Sequence, residues 1–87
     1  MKGDYLTEEK VILWNTKYGD IHCKLKDVMQ RKGVNFFQLE RITGIKHDVL
    51  KRYYTNNLTR YDSSVLAKIC YSLECPLNEL LVYEVRK

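Results

Sequence analysis

Apolar residues recur along this chain at two spacings, and the change between them falls near residue 20. Before it, "VILWNTKYGDIHCKL" mixes β-branched and aromatic residues around a turn signal at Tyr18-Gly19-Asp20, the composition of a short strand or hairpin. Thr7-Glu8-Glu9 just upstream could equally open a helical turn. From Ile21 the helical period takes over. Leu25, Val28 and Met29 stand at i, i+3 and i+4, and the run ends on Lys32-Gly33, a basic last turn followed by a glycine stop. Asn35 opens a second helix, with Gln38 completing a capping-box pattern. Phe36, Leu39 and Ile42 supply its apolar face before Gly44 ends it. A third helix covers about residues 46–54, with Val49, Leu50 and Tyr53 inward and Asn56-Asn57 closing it. Asp62 caps a fourth, which turns Val65, Leu66, Ile69, Cys70 and Leu73 to the inside. Cys75-Pro76 breaks the chain, and Leu77, Leu80 and Leu81 predict one last short helical turn. Residues 11–18 and Val82-Tyr83 are both β-prone and are expected to form strands, paired within the chain or across a dimer.

Helices of about nine residues do not persist alone in water, so these must pack on one another. The pattern therefore predicts an all-α, compact four- or five-helix domain over residues 21–83. An N-terminal extension (1–20) with room for a short strand or hairpin precedes it, and a tail (84–87) follows. The second and third helices are joined by Gly44-Ile45 with almost no loop. A glycine there can take the positive φ that a tight, near-perpendicular turn demands. Ile45 and Leu50 then reach the core, while Lys46, His47, Asp48, Lys51 and Arg52 are left on the outer face.

At 87 residues, 45% hydrophobic and 30% charged, the chain has the makeup of one folded domain without need of metals or disulfides. No apolar run approaches ~18 residues and no signal-peptide pattern opens the chain. The expected setting is the cytoplasm, with Cys23, Cys70 and Cys75 reduced. His22, Cys23, His47, Cys70 and Cys75 do not have metal-ligand spacing and contain no Cys-x-x-Cys pair, so buried apolar thiols are expected instead. Of the tyrosines, Tyr53 and Tyr71 are expected in or along the core, with Tyr54 and Tyr61 flanking the loop after the third helix. Scattered glycines make no phosphate loop, and no nucleophile–base arrangement can be placed on these elements, which argues against an enzyme.

Charge changes the picture more. Residues 21–60 carry nine cations against Asp27, Glu40 and Asp48, a net +6 in a chain whose total is +4. A basic footprint over half the chain calls for an anionic polymer as partner, and an exposed helix studded with donors fits the DNA major groove.

These residues resemble a known family. "GVNFFQLERITGIKHDVLKRYYTNNLTRYDSSVLAKICYSLECPLNELL" is similar to the Cro/repressor-type (XRE-like) helix-turn-helix DNA-binding domain, of the lambda-repressor-like fold, over about residues 21–83. "IHCKLKDVMQRKGV" resembles its first helix, "QLERITGI" its second helix and turn, and "KHDVLKRYYTN" its recognition helix. Three positions depart from the pattern. Phe36 stands where a phosphate-contacting Gln is common, and Lys46 replaces a Ser/Thr cap. Glu40 replaces a small residue, usually Ala, so its carboxylate must turn outward or pair with a neighbour such as Arg41 or Lys51. The resemblance implies a DNA-binding transcription regulator, with Lys46, His47, Asp48 and Lys51 at base edges. Arg52, Gln38, Lys24, Arg41 and Arg60 would lie on phosphates. Double-stranded DNA and a second copy of the chain are the expected partners. No cofactor, metal, membrane or small-molecule effector is expected, and control would come from abundance, oligomerisation or a partner protein. The alternative is an antitoxin-like or anti-repressor module using the same fold to bind protein.

Overall fold

A computed structural model of the chain describes residues 18–85. Along them run strand β1 (Asp20–Cys23), helices α1 (Leu25–Lys32), α2 (Phe36–Thr43), α3 (His47–Tyr54), α4 (Ser63–Leu73) and α5 (Leu77–Leu80), and strand β2 (Leu81–Glu84). The all-α expectation is therefore corrected: the two ends of the helical domain are joined by an antiparallel ribbon. Ile21 lies opposite Tyr83, His22 opposite Val82 and Cys23 opposite Leu81. The first helix accordingly begins at Leu25 rather than Ile21, because Ile21–Cys23 find backbone partners in β2. The strand expected at Val82-Tyr83 is present and pairs within the chain, but with 20–23. Of the segment 11–18, residues 11–17 lie outside the described residues, and Tyr18 precedes β1. Gly19 makes no turn. It is buried against β2, where an added Cβ would collide with the Glu84 carbonyl oxygen, and its N–H donates to the Tyr83 hydroxyl at 2.9 Å.

The core is apolar throughout, with no buried polar or charged residue among the described ones. Leu25, Val28, Leu39, Leu50, Ile69 and Leu80, drawn from all five helices, are completely covered. Each such side chain contributes about 1.5–3 kcal/mol relative to exposure. α2 packs on α4, and α1 contacts α3, α4 and α5. Two apolar residues expected in or along the core, Ile42 and Tyr71, are not covered, and Leu77 in the last helical turn is also exposed. Ile42 is 62% exposed, Tyr71 87% and Leu77 50%. In an eight-residue helix such as α2 only a narrow line faces its neighbour, and Leu39 occupies it. Leu81, expected in the last helical turn, belongs to β2.

Helix ends follow local chemistry. Asn35 and Gln38 form the full capping box, with Gln38 N–H donating to Asn35 Oδ1 at 2.8 Å and Asn35 N–H to Gln38 Oε1 at 2.9 Å. The Asp62 carboxylate accepts from the Ser64 N–H and hydroxyl, both at 2.8 Å. These bonds favour the ionised form and hold the Asp62 carboxyl below the usual aspartate range.

One residue ties the ribbon to the helices. Asn56, at φ 60 just past α3, accepts the Cys23 N–H on Oδ1 at 2.7 Å and donates from Nδ2 to His22 Nδ1 at 2.9 Å. His22 in turn donates from Nε2 to Glu84 at 3.2 Å, and Lys24 pairs with the other Glu84 oxygen at 3.2 Å. The end of α3 is thereby fastened to both strands.

Candidate nucleic-acid interface

The site is built around the turn between α2 and α3. Gly44 takes φ 70, a conformation that costs an L-residue with a side chain about 1–2 kcal/mol, and its N–H closes α2 on the Glu40 carbonyl at 2.9 Å. Thr43 braces the turn: its hydroxyl donates to the Leu39 carbonyl at 2.8 Å and accepts the Ile45 N–H at 3.2 Å. Ile45 then drops into the core, and Lys46 enters α3 in an extended conformation without a side-chain cap. Asp48 in the first turn and Lys51 and Arg52 in the last all complement the helix dipole.

The inner face of α3 is fixed. Leu50 and Tyr53 are buried, and the Tyr53 hydroxyl accepts the Asp62 N–H at 2.9 Å, so α3 is also pinned to the start of α4. His47, Asp48, Lys51 and Arg52 are consequently exposed on the other side. Asp48, Lys51, Arg52, Thr55 and Asn57 line one shallow concavity. Phe37, Glu40, Arg41 and His47 line a second.

The structure thus gathers most of the residues expected at base edges on one outward helix face, with Arg52 beside Lys51. The residues expected at phosphates are more dispersed. Arg41 shares a concavity with His47, and Arg60 is exposed in the loop after α3. Gln38 spends its Oε1 on the capping box, and Lys24 is engaged by Glu84.

Three contacts here are not encoded in the local sequence pattern. Glu40 pairs with His47, Oε1 to Nδ1 at 3.4 Å, and not with Arg41 or Lys51. Phe36, half-buried, sets its ring edge-on to His47 at 5.2 Å and to Tyr54 at 5.4 Å. All three cross the α2–α3 turn, where helical spacing gives no guide. The departures at Phe36 and Glu40 were the available signal.

Metal chemistry has little to build on: no group of three or more His, Cys, Asp or Glu among the described residues could hold an ion. Burial pushes the Cys23 and Cys75 thiols up from their usual range, which leaves them weak nucleophiles. No described helix is long and apolar enough to cross a membrane.

A helix, a glycine turn of positive φ, and a second helix with one face locked and the other exposed define a helix-turn-helix unit. The family model of the Cro/C1-type HTH DNA-binding domain matches residues 24–85, and the chain belongs to that family. Comparison with curated proteins and with solved structures gives no match.

Proposed function

We propose that the protein is a sequence-specific, double-stranded-DNA-binding transcription regulator, acting in the cytoplasm and without chemistry of its own. The observation that carries this reading is the outer face of α3, where His47, Asp48, Lys51 and Arg52 stand exposed while Leu50 and Tyr53 anchor the helix from behind. In the major groove Lys46, His47, Asp48 and Lys51 would meet base edges. Arg52, Arg41, Arg60, Lys24 and Gln38 would meet phosphates, which position the protein without reading sequence. A second copy bound to the neighbouring half-site, one helical turn along, would give a palindromic operator.

Selection of bound duplexes from a random DNA pool tests the reading. It expects one enriched motif of a few base pairs, repeated if the chain dimerises. A pool that emerges unenriched refutes sequence-specific binding. A protein-interaction module on the same fold would also leave the pool unenriched, and its complexes would resist added salt.

A further inference from the structure

Two of the three departures from the family pattern, Phe36 and Glu40, meet at a single side chain. His47 begins α3, and its ring is held from two directions by α2: the Phe36 ring stands edge-on at 5.2 Å with an interplanar angle of 77°, and Glu40 Oε1 lies 3.4 Å from Nδ1. A carboxylate only accepts hydrogen bonds, so the imidazole nitrogen facing it carries the proton. In the neutral ring Nε2 then bears a lone pair. Among the described residues Nε2 has no hydrogen-bond partner, and the His47 side chain is 52% exposed. Phe36 is itself wedged against Tyr54 at 5.4 Å, and Glu40 is the less exposed member of its pair at 30%, so both holders are better fixed than the ring they hold.

We propose that Glu40 and Phe36 are positioning residues that fix the His47 ring and tautomer, presenting Nε2 as an acceptor to the exocyclic amino group of one adenine or cytosine in the major groove. The inference rests on the DNA-binding reading and names the base chemistry that reading leaves open. Exocyclic amines are the donors that the major groove offers: N6 of adenine and N4 of cytosine. A neutral ring free to rotate or change tautomer could equally offer Nε2–H to a guanine acceptor, so for the neutral ring the Glu40 contact is what makes the readout one-signed.

The test uses the full chain and a duplex enriched from a random pool. Each adenine is replaced in turn by nebularine, which lacks the N6 amine, and each cytosine by zebularine, which lacks N4. Affinity for the parent protein should fall about 5- to 100-fold at one position, and whether that position is adenine or cytosine identifies the base. His47→Ala should abolish that sensitivity. Glu40→Ala, which installs the family's usual residue and so keeps the fold, should abolish it too, while Glu40→Gln, which still offers a carbonyl oxygen to Nδ1–H, should restore it. A double-mutant cycle separates positioning from direct contact: Glu40→Ala should change affinity little once His47 is already alanine. An equal loss in both backgrounds would overturn the proposal, as would an enriched duplex on which no single amine matters. A pool with no enriched duplex would overturn the DNA-binding reading itself, and this inference with it.

Discussion

Replacing Asn56 probes how far the ribbon and the recognition helix depend on each other. Its side chain makes two long-range bonds, at 2.7 Å from Cys23 N–H and at 2.9 Å to His22 Nδ1, from a left-handed backbone at φ 60. Asn56→Gly keeps the backbone conformation at no steric cost but loses both bonds and leaves the part-buried Cys23 N–H without its acceptor. At about 0.5–1.5 kcal/mol per bond, weighted upward for the stranded donor, we predict a loss of about 2 kcal/mol. Asn56→Ala adds the left-handed penalty of about 1 kcal/mol, for a total near 3. For a domain of this size these values lower Tm by about 10 and 15 °C. Urea denaturation of both variants, with unchanged m-values as the check on two-state behaviour, measures the effect directly. A glycine variant within about 0.5 kcal/mol of the parent, the range of ordinary surface substitutions, would mean that the ribbon is not fastened to α3 through this residue.

Four further outcomes follow from the same geometry. An added Cβ at Gly44 meets nothing within 4 Å, so substitution there costs only backbone strain. Gly44→Val should lose about 1–3 kcal/mol, and a variant that melts like the parent would show that the turn is misassigned. At Gly19 the penalty is steric, since a Cβ would strike the Glu84 carbonyl. Gly19→Ala should separate the strands and destabilise by about 1–3 kcal/mol, seen as faster amide exchange at 20–23 and 81–84 but not in α2 or α3. Asp62 has a depressed carboxyl in the folded state, so its stabilising effect is complete above the ordinary aspartate range and is lost as pH falls through the lower, folded value. Asp62→Asn should therefore flatten the acid limb of the stability–pH curve, and an unchanged limb would remove this assignment. Lys51 and Arg52 point about 100° apart on α3. Lys51→Ala should relax preference at one operator position by ~1–3 kcal/mol, whereas Arg52→Ala should weaken enriched and scrambled duplexes alike, as affinity measurements on both will show.

What was legible in the sequence was local. Asn35 with Gln38, Gly33, Gly44 and Asp62 act within a turn of themselves, so the ends of α2, the Gly44 turn and the start of α4 could be placed from residue identity alone. The outward set on α3 followed from Leu50 and Tyr53 facing in. What was not legible spans long separations. β1 pairs with β2 across the whole helical domain, and Asn56 bonds His22 over 34 positions. No period encodes either contact. Ile42 fits the apolar stripe of α2 as well as Leu39 does, and only the packing of α2 on α4 decides which is covered. Glu40 stands out in the sequence as a charged residue where the resemblance expects a small one. Its partner, His47, lies seven residues on across a turn, where side-chain direction depends on the crossing of two helices.

On the proposed function, α3 binds duplex DNA through a cationic face and reads part of its sequence. Fluorescence-anisotropy titration of one enriched duplex and one scrambled duplex across a salt series measures both properties. If Lys24, Arg41, Arg52 and Arg60 lie on phosphates as proposed, log K should fall against log salt with a slope of about −3 to −4 on both duplexes, and the enriched duplex should bind at least ~10³-fold more tightly throughout. Equal affinity for the two duplexes would contradict sequence readout by α3, and a slope near zero would contradict DNA as the partner.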